Sequence, residues 1–178
     1  MFCPNCGKEI GEGSIFCQYC GFKLVSEQNL TVDDVIRNVL IRRIDGIRYR
    51  DANAIAGVVF KEKYTKFDDW PPFELQESEA LANEAKALKA LKEYEYETRS
   101  WKTTVIGDSA VTTFIIRYRG KMRDLDFGVQ SRVSAFLTKI NGEWKLVHEH
   151  WSRFPPQIPA GQPSGAAKSD RQEGPIVI

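Results

Sequence analysis

Apolar residues recur at helical spacing in the first half of the chain and at every second position from Tyr94 onward, and this change of period constrains the fold most. Val32, Val35, Ile36, Val39, Leu40, Ile44 and Ile47 form one stripe. They predict an amphipathic helix of about 17 to 20 residues, opened by Thr31 as N-cap with Asp34 at N3. Asp51 can cap a second, shorter helix carrying Ile55, Val58 and Val59, and Tyr64 to Asp69 reads as a short strand stopped by Trp70-Pro71-Pro72. Ser78 to Glu93 is a third helical stretch. Four β-branched and aromatic runs follow: Tyr94 to Ile106, Ala110 to Arg119, Gly128 to Ile140 and Glu143 to Trp151. Gly107-Asp108-Ser109, Gly120-Lys121 and Asn141-Gly142 separate them as turns. Helices first and a strand meander afterwards predict an α+β fold, with about three helices packed on one face of a bent antiparallel sheet.

The 178 residues, 42% of them hydrophobic, suffice for one ordinary core plus a small module. No apolar run approaches the ~18 residues of a membrane span. Residues 1–24 carry Lys8 and Lys23 against Glu9 and Glu12, so this stretch lacks the basic surplus that phosphate binding requires, which argues against nucleic acid. Residues 37–66 hold eight Lys/Arg against three Asp/Glu, and residues 67–97 hold three against nine. That asymmetry reads as two solvated faces that attract one another, or as a basic patch for a polyanion. Beyond Phe154, proline and glycine accumulate without periodicity, predicting a disordered tail over residues 155–178.

All four cysteines stand near the N-terminus as Cys3-Pro4-Asn5-Cys6 and Cys17-Gln18-Tyr19-Cys20, each pair followed by glycine. Two facing Cys-x2-Cys knuckles supply the four thiolates of a tetrahedral structural Zn²⁺ site. A redox site would need one such pair beside a βαβ pattern, and disulfides would need an oxidising compartment; neither context is visible. Reduced, metal-ligating thiols fit the cytoplasm. The stretch from Phe2 to Lys23 resembles the short zinc-ribbon modules at the N-termini of many prokaryotic proteins, which sets a first domain at 1–24.

The order of elements, the Phe67-Asp68-Asp69-Trp70-Pro71-Pro72 strand end and the closing run Asn141-Gly142-Glu143-Trp144-Lys145-Leu146-Val147-His148-Glu149-His150-Trp151-Ser152 carry a second resemblance. Together with Arg132-x-Ser134 they are similar to the SnoaL-like, ketosteroid-isomerase-like branch of the nuclear-transport-factor superfamily. The resemblance implies a domain over residues 30–154 in which a bent sheet wraps helices as a cone with a pocket at its open end. It also implies a homodimer through the outer sheet face.

Register decides which side chains enter that pocket. A turn with Gly142 as a bulge sets Trp144, Leu146, His148 and His150 opposite Thr138, Phe136, Ser134 and Arg132; a two-residue Asn-Gly turn sets the histidines against Ala135 and Val133 instead. The bulged register gathers Arg132, Ser134, His148 and His150 on one face, and leaves Val133, Ala135, Leu137, Val147 and Trp151 as an apolar outer face for a second subunit. The pocket candidates are Arg132, His148 and His150 inside, with Asp68, Trp70 and Tyr118 at or near the mouth. The histidines read as satisfied core groups, as acid/base groups, or as metal ligands needing a third partner such as Asp68 or Glu149. Trp70, Trp101 and Trp144 read as core or rim. Arg132 would anchor an anionic or carbonyl-bearing small molecule, or pair with Asp68.

Two function classes follow. One is a non-catalytic, ligand-binding or protein-interaction module whose ribbon contacts a protein partner. The other is a small-molecule isomerase, cyclase or hydratase with His150 or Asp68 as base; the resemblance implies Asp and Tyr, or Asp and His, deep in the cone, which makes Asp69, Tyr64 and Tyr118 further candidates.

Overall fold

The computed structural model describes residues 2, 7–10, 19 and 30–155. The four cysteines, the joint after them and the tail beyond Pro155 lie outside the described residues.

Helix α1 (Val32–Arg48) begins where the Thr31 side chain accepts from the Asp34 amide while the Asp34 carboxylate accepts from the Thr31 amide at 3.1 Å. This reciprocal pair satisfies donors that the first turn leaves without helical partners. Asp51 caps α2 (Ala52–Val58) by accepting from the Asn53 and Ala54 amides. Two short strands, β1 (Thr65–Phe67) and β2 (Leu75–Gln76), lead to α3 (Ala80–Leu88). Helix α3 ends earlier than its composition suggests. The chain turns at Lys89 and Ala90 so that Leu91 and Tyr94, both buried, enter β3 (Leu91–Ile106). Burial of those two side chains outweighs the helix propensity of the residues between them.

β4 (Ser109–Met122), β5 (Leu125–Ile140) and β6 (Glu143–Arg153) complete a sheet ordered β2-β1-β6-β5-β4-β3. All neighbours are antiparallel except β1 and β6, which pair in parallel through Thr65↔His148 and Phe67↔His150, so the sheet is mixed rather than antiparallel throughout. Gly120 is a strand residue, not a turn. A Cβ there would lie 2.0 Å from the Glu93 carbonyl oxygen, and the chain instead reverses at Arg123 and Asp124. Among the described residues no helix is long and apolar enough to cross a membrane.

Asn141 and Gly142 have φ of 52° and 86°, and Ile140 pairs directly with Glu143, so the last hairpin closes with a two-residue turn. Farther along, the register jumps from Leu137↔Leu146 to Phe136↔His148, leaving Val147 as an extra residue. Alternation restarts one step out of phase. Trp144 and Leu146 point into the core before the bulge, and Glu149 and Trp151 do so after it.

Both sequence-based registers therefore fail at the histidines, and the two sheet faces exchange roles. Val133, Ala135, Leu137 and Trp151 join Ile36, Leu40 and Ile44 of α1 in the core, while Arg132, Ser134 and Phe136 face outward beside His148 and His150. One helical layer covers one sheet face, and it covers the more apolar one.

Candidate functional site

Arg43 occupies position i+3 from Leu40 and i+7 from Ile36, in the middle of the apolar stripe of α1, and is only 1% exposed. A guanidinium buried this deeply needs partners. Its Nε and Nη2 donate to Glu149 Oε1 at 3.1 and 2.7 Å, and Nη2 reaches Glu84 Oε2 of α3 at 2.8 Å. The Tyr64 hydroxyl donates to the same Glu149 oxygen, and Trp151 Nε1 donates to Glu149 Oε2 at 2.9 Å. Lys66, inward on β1, bridges Asp68 at 2.6 Å and Glu84 at 3.6 Å. Part of the charge asymmetry between residues 37–66 and 67–97 is thus an interior ion network rather than two solvated faces.

Burial alone would raise the Glu149 pKa. The Arg43 and Lys66 charges and the Tyr64 and Trp151 hydrogen bonds overcome it, so this carboxylate titrates at about 2. A second carboxylate has the opposite bias. Asp69 Oδ2 accepts from Tyr118 Oη at 2.8 Å and from Ser131 Oγ, and the Tyr118 hydroxyl in turn accepts from Trp70 Nε1 at 2.9 Å. Desolvation still pushes the Asp69 carboxyl up, helped by neighbouring Asp68 and only partly offset by Ser131 and Tyr118. Burial and the Asp69 charge push the Tyr118 hydroxyl up as well, so it remains a donor.

Arg43, Lys66 and Glu84 of the first network and Asp69 and Tyr118 of the second border one cavity of about 450 Å³. Arg43, Lys66, Asp68, Asp69 and Glu84 make its polar side; Trp70, Tyr94, Phe127 and Trp151 supply aromatic surface. Tyr94 stacks on Tyr118 at 5.4 Å between ring centroids, and Phe127 meets Trp70 edge-on at 5.3 Å. Such a space accepts a flat apolar body with a few polar atoms.

Of the sequence-based candidates, the structure places Asp68, Trp70 and Tyr118 on this cavity wall. It does not bring Arg132, His148 and His150 there. Arg132 is exposed, its guanidinium 5.1 Å from the Phe154 ring. The His148 ring nitrogen Nδ1 lies 2.7 Å from Thr65 Oγ1, and Phe67 packs against both imidazoles. Burial and the nearby His150 lower the His148 pKa. Among the described residues no three His, Cys, Asp or Glu side chains gather to hold a metal.

A family model described as a SnoaL-like domain matches residues 39–157, two thirds of the chain. The chain belongs to the SnoaL-like domain family. A zinc-ribbon domain model matches residues 2–24. Solved structures agree on the fold of this SnoaL-like chain. A proposed dehydratase of the NTF2-like family from Streptomyces avermitilis superposes with a TM-score of 0.61 at 12% identity, covering 68% of this chain and 95% of that one. An NTF2-like superfamily protein from Salmonella enterica gives 0.62 at 17% identity, covering 73% and 96%. The CaMKII hub homology domain from Chlamydomonas reinhardtii gives 0.59 at 17%, covering 70% and 100%. None of the curated proteins matches the sequence.

Sequence reasoning misses Arg43 and Ser131; it takes Asp69 only as one of several proton-transfer candidates, and Glu149 only as a possible third metal ligand. The available signal for Arg43 was a charge at a stripe position of α1. Glu149 had no such signal, because the bulge at Val147 alone turns it inward.

Proposed function

We propose that this SnoaL-like domain, over residues 30–154, binds a small molecule with an apolar ring body. The observation that carries the reading is the cavity of about 450 Å³ with aromatic walls and a polar end that includes buried charged residues of α1, β1 and α3, Arg43 among them being held by Glu149 of β6. Burying these charges costs desolvation free energy that their mutual pairing only partly returns. The test is titration with N-phenyl-1-naphthylamine, a neutral fluorescent probe. Saturable one-to-one binding, weakened by Ala87→Trp at the cavity wall, supports the reading; unsaturable binding indifferent to that substitution contradicts it.

A second reading, proton transfer next to a carbonyl, is favoured by Asp69 alone: a carboxyl of raised pKa facing the cavity and oriented by two hydroxyl donors. In this reading Asp69 takes the base role first assigned to Asp68 or His150, and Tyr118 supports the developing oxyanion. Deuterium exchange at the α-carbon of a bound ketone, followed by NMR in heavy water, tests it. Exchange abolished in Asp69→Asn and kept in Glu143→Gln supports catalysis; no exchange leaves binding without turnover.

The ribbon over residues 1–24 is proposed to hold one structural Zn²⁺ through Cys3, Cys6, Cys17 and Cys20 and to serve as a protein-contact appendage in the cytoplasm. Its support is the match to the zinc-ribbon model and a donor set of four soft thiolates. Self-association is proposed through the outer sheet face, where Phe67 and Phe136 are exposed. The CaMKII hub and association domains among the structural neighbours support it.

A further inference from the structure

The charged residues lining the cavity are Arg43 and Lys66 against Asp68, Asp69 and Glu84, and the two signs are not equally accessible. The Arg43 and Lys66 side chains are 2% and 5% exposed, whereas those of Glu84 and Asp68 are 10% and 23% exposed. Each cation is buried more deeply than the carboxylate it pairs with, Arg43 with Glu84 at 2.8 Å and Lys66 with Asp68 at 2.6 Å, so the charge that a ligand meets is negative. Glu149 engages Arg43 from behind the wall, and Asp69 accepts from the hydroxyls of Tyr118 and Ser131 without an ion pair among the described residues. Two cations therefore stand against four carboxyl groups at this end of the cavity. An incoming cation relieves such a surplus in a partly desolvated space, and an anion aggravates it. The rest of the wall suits the same charge. Trp70, Tyr94, Tyr118, Phe127 and Trp151 supply aromatic surface, and ring faces attract an ammonium group at short range. Arg153 stands over the Trp70 ring at 4.9 Å, but it is exposed and does not line the cavity, so it leaves the surplus unanswered.

We propose that the cavity selects an organic cation, an amine or quaternary ammonium group carried on an apolar ring body, over neutral and anionic compounds of the same shape. This rests on the small-molecule-binding reading above and assigns the charge of its ligand, where an Arg132-based pocket implied an anion.

Three probes of one shape separate the possibilities: benzyltrimethylammonium, neopentylbenzene and benzylsulfonate, titrated into the full chain at pH 7.5 by tryptophan fluorescence. The ammonium is expected to bind about tenfold or more tighter than the hydrocarbon, the scale of a desolvated cation–π contact, and the sulfonate weakest of the three. Ala87→Trp at the cavity wall should weaken the ammonium, which ties its binding to this space. Asp68→Asn keeps an acceptor for the Trp70 amide and removes the most exposed of the paired charges, so it should narrow the gap between ammonium and hydrocarbon. Ammonium and hydrocarbon binding equally, sulfonate binding tightest, or ammonium binding indifferent to Ala87→Trp overturns the proposal, as does an unchanged gap in a folded Asp68→Asn. Should that variant not fold, the ranking of the three probes on the wild type decides. Saturable binding by none of the three also overturns it. The ligand-binding reading falls with it only where N-phenyl-1-naphthylamine fails to saturate as well.

Discussion

Glu149 and Asp69 are both buried carboxylates whose surroundings push them in opposite directions, and the consequences for stability have opposite sign. Glu149 falls from the ordinary 4.5 to about 2, so its ionisation stabilises the fold above the unfolded value, and that contribution is lost as pH drops from 4.5 towards 2. The size is about 3 kcal/mol, the worth of a shift of between two and three units. Glu149→Gln should cost about 3 to 5 kcal/mol at pH 7, because it leaves Arg43 without its main partner. Urea melts between pH 7 and pH 2 should show a flatter acid limb for this variant than for the wild type. Asp69 is raised above its ordinary 3.8, chiefly by desolvation, so the folded state holds its proton longer and stability declines as pH rises through that window. Asp69→Asn keeps an acceptor for Tyr118 and Ser131 and removes the charge. Its melting temperature at pH 7 should equal or exceed the wild type's, and a loss of several degrees would contradict this account of the site. How much of this was legible follows from what each residue displays. Arg43 stood in plain view as a charge in an apolar stripe. Asp69 was visible beside Asp68 without a sign of which one turns inward, and Glu149 was hidden by register.

At the scale of elements, the helix caps were readable because a few adjacent residues determine them: Thr31 with Asp34, and Asp51, behave as their local chemistry dictates. The place of the Asn141-Gly142 reversal was readable too, but its type was not: the bulged turn on which the pocket candidates rested is a two-residue turn. The bulge at Val147 is different in kind. Nothing in Leu146-Val147-His148 distinguishes it from a regular strand, and its cause is the tertiary preference for burying Glu149 and Trp151 with Tyr64 and Arg43 rather than two imidazoles. Gly120 gave a false turn signal for a related reason: a strand glycine that permits close backbone approach looks, in sequence, like one that permits a reversal. Gly120→Ala should therefore destabilise by about 1 to 3 kcal/mol, since its Cβ would be forced into the Glu93 carbonyl. Gly128→Ala, with nothing within 4 Å of the new methyl, is the control. Equal melting temperatures for the two variants would refute the packing argument.

At the scale of the whole molecule, the SnoaL-like unit has a core of its own, drawn from all three helices and from β3 through β6. Removal of residues 1–24 should leave a cooperative thermal transition by circular dichroism, whereas Cys3→Ser should lower bound zinc, measured by elemental analysis, below one per chain. Phe136→Asp on the outer face should shift light scattering towards the monomer mass if that face self-associates, and an unchanged mass would move the contact elsewhere. The central claim, that ligand enters between the Arg43 network and the Asp69 pair rather than at the histidines, has a direct reporter in the four tryptophans. Trp70 and Trp151 line the cavity, while Trp101 stacks on Phe114 and Trp144 lies near the closing hairpin under Lys139, both outside the cavity wall. In ¹H–¹⁵N spectra recorded during addition of N-phenyl-1-naphthylamine, the indole N–H signals of Trp70 and Trp151 should move together and saturate while those of Trp101 and Trp144 stay in place. Saturable movement of Trp101 or Trp144, with Trp70 and Trp151 unmoved, would contradict the site.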